Sequence, residues 1–483
     1  MSSTIKSSFV AGVFVESRGD EQILENLNPS DPRDVVDRFA RADAQLTQAA
    51  VEAANAAAPA WAASNPQFRA DVLDRIGSEI LERREELARL LAREEGKVLR
   101  EALGEVDRAG RSFKFYAQEA LRASGEKYES VRPGVGIDTS RQPVGVVGII
   151  SPWNFPIAIP AWKIAPALCF GNCVVFKPAE LVPSSAWALA EIISRSGLPA
   201  GVFNMLIGPG RSVGDALIRH PLVKAISFTG SEQTGRQIAA IAVERMAKVQ
   251  LEMGGKNPLI VLDDADLDVA LDVAIQGSFF STGQRCTASS RLIVTEGIYP
   301  EFVARLVERT RALKVGDALD ASTDIGPVAD AKQLEVDLDF IQSGLAEGAT
   351  LACGGERLVR EGDGYFLEPA LFLDVKPDMR IYREEIFGPV LSVLKVRNYE
   401  EAFAAAEDTP FGLSAGIVTT SLKYAEHFKR NSSAGMVMVN LPTAGVDYHV
   451  PFGGNRGSSY GPREQGTHAR EFFTKVKTSY QLS

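Results

Sequence analysis

Long apolar runs are missing from this chain. Nowhere do about 18 consecutive apolar residues occur, the length a bilayer-spanning helix requires. Residues 1–10 carry one lysine and no apolar run, so no secretory leader is expected. Cysteine is scarce as well: four in 483 residues do not make a disulfide framework. Cys169 and Cys173 stand in Ala/Leu/Val surroundings, and the four histidines of the chain do not cluster with them, so core packing is expected there and no metal site. Cys353, before Gly354-Gly355, reads as a strand end. Basic charge is in deficit, 52 Lys and Arg against 62 Asp and Glu. The resulting net charge of -10 argues against a nucleic-acid partner and favours an acidic cytoplasmic protein. An anionic ligand must then be attracted by local positive charge. There is no internal repeat and no low-complexity tract.

What is present is a 483-residue chain, long enough for two or three domains, with an ordinary globular composition. Residues 1–30 read as a short strand or two and a turn at Asn28-Pro29-Ser30. From about 41 to 122, Leu73, Ile76, Ile80, Leu87, Leu90 and Leu91 recur at three- and four-residue spacing, which predicts two or three helices punctuated by Pro66 and Gly96. Arg108 and Arg111 share a face of the last of them. Residues 125–143 read as looping or extended chain. Apolar β-branched runs at 144–150, 173–176, 202–207, 225–228 and 249–251 then alternate with helical segments, which predicts a parallel, doubly wound sheet.

Ligands of such sheets sit beyond the carboxyl ends of the strands. Those ends here carry Trp153-Asn154, Lys177 and Glu180, Gly208-Pro209-Gly210 with Gly214, Thr229-Gly230-Ser231, and Glu252. The glycine pattern is not the usual dinucleotide fingerprint, but the whole rim is polar or glycine-rich, as a nucleotide needs. A second α/β unit follows from residue 259. Within it, Phe279-Phe280-Ser281-Thr282-Gly283-Gln284-Arg285-Cys286-Thr287-Ala288-Ser289 presents one cysteine in a small-residue turn with a cation directly before it. A thiol beside a fixed positive charge has more thiolate, the reactive form. The plain alternative is a core cysteine in an ordinary turn. The segment from 472 to 480 reads as a strand that pairs outside its own domain.

Seven motifs in order then resemble the NAD(P)-dependent aldehyde dehydrogenase superfamily along nearly the full length. They are Pro152-Trp153-Asn154-Phe155-Pro156, Phe176-Lys177-Pro178-Ala179-Glu180, Phe228-Thr229-Gly230-Ser231, Leu251-Glu252-Met253-Gly254-Gly255-Lys256, Gly283-Gln284-Arg285-Cys286, Glu384-Glu385-Ile386-Phe387-Gly388-Pro389 and Pro451-Phe452-Gly453-Gly454. The family usually has Leu where Met253 stands, a mild apolar exchange. The resemblance implies a Rossmann-type cofactor domain (1–123 and 143–252), an α/β catalytic domain (253–440) and a small β oligomerisation arm (124–142 and 441–483). It implies a homodimer or homotetramer. It makes Cys286 the nucleophile, Asn154 the oxyanion donor and Glu252 the general base that activates water. It assigns cofactor contacts to Ile150, Trp153, Lys177, Glu180, Gly210, Gly214, Phe228, Gly230, Ser231, Glu385 and Phe387. No metal is implied. A carboxylate at Glu180 favours NAD, with NADP possible. Lys163 and Glu464 match a proton path to the base.

The resemblance also sets the aldehyde tunnel, lined by Phe155, Ile159, Trp162, Phe280, Val446 and Phe452. Two positions depart from its apolar pattern: Arg285, beside the nucleophile, and Arg108, placed at the tunnel mouth by the register of Phe115-Tyr116-Ala117. Guanidinium forks suit carboxylates, so a semialdehyde acid is the expected substrate. With residues 443–450 and 457–466, the pattern resembles the group oxidising α-ketoglutarate semialdehyde (2,5-dioxopentanoate) to 2-oxoglutarate. A broad-specificity enzyme, other semialdehyde acids such as succinate or aminoadipate semialdehyde, a CoA-acylating enzyme, a hydrolytic thioesterase or esterase and a catalytically silent homologue are the alternatives. Glu252 argues against the CoA-acylating one, and intact Cys286, Asn154 and Glu252 argue against silence.

Overall fold

The computed structural model describes residues 5–15, 22–122 and 125–482. Parts of several sequence readings fall outside them: the leader-free reading of residues 1–10, the strand reading of residues 1–30, the boundary between residues 123 and 124, and the last residue of the 441–483 arm.

The helical stretch forms four helices where two or three were expected: Ala44–Ala62, Pro66–Glu82, Arg84–Glu95 and Leu99–Glu119. Asp43 caps the first through the Leu46 N–H, and Asn65 with Pro66 opens the second. The break the pattern does not announce is at Arg83, whose backbone leaves helical geometry between two charged turns. Gly96 ends the third helix in the left-handed conformation, φ 92°. The last helix buries Ala102, Val106, Ala109, Phe113 and Tyr116 and carries Arg108 on the flank of that stripe.

The first sheet runs Val13–Phe14, Phe9–Val10, Phe203–Met205, Cys173–Lys177, Val146–Ile150, Val223–Thr229, Lys248–Glu252, Ser459–Tyr460. Its five central strands are parallel, and its edge strands antiparallel. The chain winds outward one way from Val146–Ile150, then crosses back to add Val223–Thr229 on the other side. That reversal is where an open α/β sheet makes its ligand crevice. The strand expected over 202–207 is only Phe203–Met205, because Leu206 and Ile207 turn toward the Gly208-Pro209-Gly210 loop.

The second sheet runs Thr350–Cys353, Ala370–Leu373, Val390–Val396, Ser289–Thr295, Asn257–Val261, Ser414–Val418, Met436–Val439, parallel except for its first strand. A third sheet pairs Lys127–Glu129, Val135–Pro143 and Thr474–Leu482, all antiparallel. Residues 475–482 of the tail strand are exposed along its whole length.

The nucleophile loop follows from its neighbours. Helix Leu267–Phe279 is capped by Asp266 and ends against Phe280. Ser281, Thr282 and Gly283 then take φ of 52°, 57° and 66° in succession. A side chain at Gly283 would meet the Gly388 carbonyl at 2.3 Å, so only glycine fits between the loop and the 384–389 segment. This tight turn sets Cys286 ahead of strand Ser289–Thr295.

Candidate active site

A cavity of about 220 Å³ lies in front of Cys286 and brings together Arg108, Phe155, Trp162, Arg285 and Phe452. Ile159 and Val446 also line it, whereas Phe280 packs with the second-sheet core.

The backbone around Cys286 is held from several directions. Asn257 Nδ2 donates to the Cys286 carbonyl at 2.7 Å and to the Ala288 carbonyl at 2.9 Å, while its Oδ1 accepts from the Ser414 N–H. Thr443 Oγ1 donates to the Thr287 carbonyl at 2.7 Å. Asn154 is buried, and its Nδ2 donates to the Gln284 carbonyl at 2.9 Å. An amide nitrogen has two hydrogens, so this bond fixes the amide plane and leaves one N–H for a substrate oxygen.

Burial pushes the Cys286 thiol up to about 12, and the Glu385 and Glu252 carboxylates add to the effect. The expectation that a neighbouring cation makes thiolate is therefore corrected. Arg285 turns its Nη2 back to the carbonyls of Gln276 and Gly277 at the end of the preceding helix, and desolvation of the thiolate outweighs any help from it. Glu252 is buried at the end of strand Lys248–Glu252, and its Oε2 accepts from Ser459 Oγ at 2.5 Å. Its pKa stands well above the ordinary carboxylate range, first through burial and then through Glu464, against the pull of Ser459 and Lys163. Glu464 pairs with Lys163, accepts from Trp162 Nε1 at 2.6 Å, and lies near Ser227. Lys163 also donates to Ser227 Oγ at 2.9 Å, so the two proton-path candidates form one buried network.

The cavity wall is basic. Arg108 Nη2 donates to Gln465 Oε1 at 3.1 Å, and its guanidinium lies 4.9 Å from the Trp162 ring centroid. Burial lowers its pKa to about 10, which leaves it charged at neutral pH. The Nε atoms of Arg108 and Arg285 are buried and have no partner. Glu101, on the same helix as Arg108, accepts twice from the Ser281 N–H, at 2.9 and 3.1 Å, and lines the cavity. Burial raises its pKa, and the Arg285 cation is the chief influence holding it down.

At the nucleotide rim, Lys177 Nζ donates to the Pro178 carbonyl, and burial lowers its pKa to about 8. Glu180 is paired with Arg41 at 3.1 Å, so the carboxylate that favours NAD is partly neutralised by a residue outside the motifs. Ser231 caps helix Glu232–Glu244. Gly214 lies beside the Lys177 stem, Gly230 against the Phe228 ring, and Gly210 in open space. Ile150 ends its strand. Trp153 and Phe387 meet edge to face, centroids 5.4 Å apart, with Phe387 at φ 66°. Glu385 Oε1 accepts from the Gly255 N–H at 2.8 Å, and burial raises its pKa to about 7. Ser151 Oγ and Thr229 Oγ1 are buried hydroxyls without partners at the carboxyl ends of the two strands that flank the reversal. Unsatisfied hydroxyls there, with a lysine and two acids, fit a polyhydroxylated, phosphate-bearing ligand.

Sequence reasoning missed Ser459, Asn257, Gln465, Glu101 and Arg41. Ser459 was within a quoted tail segment, and its antiparallel register with Glu252 is the only signal that marks it.

The profile of the aldehyde dehydrogenase family matches residues 14–479. The chain is similar to the alpha-ketoglutaric semialdehyde dehydrogenase of Bacillus subtilis, 44% identical over 475 residues, covering 98% of this chain and 97% of that protein. It is 43% identical over 478 residues to the alpha-ketoglutarate semialdehyde dehydrogenase of Haloferax volcanii, covering 98% of each. Among solved structures, betaine aldehyde dehydrogenase from Staphylococcus aureus in complex with NAD+ superposes with a TM-score of 0.96 at 33% identity, covering 99% of this chain and 95% of that one.

Proposed function

The chain belongs to the aldehyde dehydrogenase family, and we propose that it oxidises a semialdehyde acid, 2,5-dioxopentanoate, to 2-oxoglutarate with NAD. The observation that carries the substrate class is the pair of arginines on the cavity wall, each with a buried Nε that has no acceptor. An aldehyde with a carboxylate at its far end supplies that acceptor. The names of the Bacillus subtilis and Haloferax volcanii relatives support the same substrate.

In this reading Cys286 Sγ gives its proton to Glu252, which passes it on through the Lys163–Glu464 pair, and Sγ bonds to the aldehyde carbon, forming a thiohemiacetal. The oxygen is met by the free N–H of Asn154 Nδ2 and the backbone N–H of Cys286. The nicotinamide, when bound, supplies the hydride acceptor that turns this adduct into a thioester on Cys286. Ile150, Trp153, Lys177, Glu180, Gly210, Gly214, Phe228, Gly230, Ser231, Glu385 and Phe387 are the residues that would hold the cofactor. Glu252 takes a proton from water, whose oxygen bonds to the acyl carbon and releases the Cys286 thiol. The raised pKa of Glu252 makes it a stronger base than an exposed carboxylate. The buried Lys163–Glu464 pair offers that proton a way out. Phe155, Trp162 and Phe452 enclose the substrate chain.

Three further parts belong to this proposal. The division is a cofactor domain (1–123 and 143–252), a catalytic domain (253–440) and arm segments (124–142 and 441–483). The exposed tail strand serves assembly into a homodimer or homotetramer. The setting is the cytoplasm. Steady-state kinetics test the substrate: kcat/KM for 2,5-dioxopentanoate is expected to exceed that for pentanal by about tenfold or more. Equal values for the two would refute the anionic-substrate reading.

A further inference from the structure

Gln465 follows Glu464 in the tail, is fully buried, and holds a left-handed backbone, φ 60°. A non-glycine residue is kept in that conformation only where its surroundings over-determine it. Here they do. Glu464 exchanges two backbone hydrogen bonds with Phe452, Tyr116 donates its hydroxyl to the Gly466 carbonyl at 2.9 Å, and the Ala469 N–H donates to the Gln465 carbonyl. The side chain so held reaches one charged partner. Its Oε1 accepts from Arg108 Nη2 at 3.1 Å. A guanidinium only donates, so the amide must present its oxygen. Its Nε2 is then left buried without an acceptor, as is Nε of Arg108. On the opposite side Arg108 lies over Trp162, whose indole N–H is tied to Glu464, the residue before Gln465. The guanidinium is thus gripped between two adjacent tail residues, one acting directly and one through the indole.

We propose that Gln465 is a positioning residue that aims the Arg108 guanidinium into the aldehyde cavity and so sets the preference for an anionic substrate. This rests on the substrate reading above. Gln465 does not itself line the cavity and meets its lining at Arg108, so its effect passes through Arg108 and falls on recognition of the far end, away from the reacting carbon.

Gln465→Met keeps the shape and removes the acceptor. Its KM for 2,5-dioxopentanoate is expected to rise by about tenfold, the worth of one hydrogen bond to a charged group, with kcat unchanged. Pentanal kinetics are expected to stay at the wild-type values, and the melting temperature to fall by no more than a few degrees, since the buried Arg108 Nη2 loses its acceptor in the free enzyme too. In an Arg108→Met background the same substitution is expected to add nothing. If both substrates lose equally, or the effect persists without Arg108, Gln465 serves packing alone and the proposal is wrong. Should Gln465→Met not fold, Gln465→Glu retains the acceptor and opposes the arginine's charge; it must raise KM for the acid alone, and an unchanged KM overturns the proposal. The two readings separate cleanly. A wild type indifferent between the two substrates sinks the substrate reading and this inference with it, whereas a wild-type preference that Gln465→Met retains sinks this inference only.

Discussion

Glu252, Glu385 and Glu464, the floor, lie within electrostatic reach of Cys286 without lining the cavity; on the cavity wall, Arg108 and Arg285 stand beside Glu101 and Glu105. Both sets are desolvated, and burial disfavours charge in both. The outcome differs because the starting points differ. A carboxyl begins below neutral pH, so raising Glu385 to about 7 brings it to the middle of its titration, and Glu252 is raised well above its usual range. A guanidinium begins far above neutral pH, and Arg108 at about 10 is still a cation. Similar solvent exclusion therefore yields a floor whose acids exchange protons and, on the wall, arginines whose charge is permanent. Proton chemistry belongs to the first, and recognition of a fixed anionic group to the second.

The floor is broken most severely at Asn154. Asn154→Ala is expected to lower kcat by about 10²–10³ on any aldehyde, as loss of one oxyanion donor does; stopped-flow and steady-state rates of NADH formation would show it, and a loss confined to acidic substrates would contradict the division. Next comes the wall. Arg285→Met is expected to raise KM for the semialdehyde acid by roughly 10–100-fold and to leave kcat for pentanal near wild type. A fall in the pentanal rate would mean that Arg285 belongs functionally to the floor.

A smaller effect sharpens the floor's proton chemistry. Groups with raised pKa reach their basic form only as pH climbs, so the rising limb of kcat should lie above the ordinary carboxylate range. Glu464 is one cause of the raised Glu252 pKa, and Lys163 pulls the other way. Glu464→Gln removes the first influence and frees the second, so the rising limb of the pH–kcat profile should move to lower pH. A limb that stays put, or moves up, would detach Glu464 from the base. The smallest effect is expected at the rim. Arg41→Ala leaves the Glu180 carboxylate bare, and the NAD-to-NADP ratio of kcat/KM should grow a few-fold, about what a half-exposed ion pair contributes; a ratio that falls would show that Arg41 does not serve to screen Glu180.

Much of the architecture was legible because apolar strands alternating with helices leave a strong periodic trace, as at 144–150 and 173–176. The break at Arg83 was not, since no proline or glycine marks it and charged residues flank it on both sides. In the site, the residue types at 154, 252 and 286 stood out through their motifs. Their holders did not: Ser459 is 207 positions from Glu252, and Gln465 is 357 from Arg108. Such pairs carry no local pattern. Nothing in the sequence singles out Glu101, which the fold sets against the Ser281 N–H and Arg285.

Residue identity alone determined which chemistries are available here: a thiol, an amide, carboxylates and guanidinium groups, at spacings that belong to one family. Tertiary structure decided the state and direction of each. It placed Cys286 where desolvation and nearby carboxylates push its pKa up, despite the cation beside it in the chain. It turned Arg285 back on its own helix end and left Arg108 aimed by Gln465. Protonation and orientation depend on what surrounds a group within a few ångströms, and part of that surrounding comes from residues hundreds of positions away.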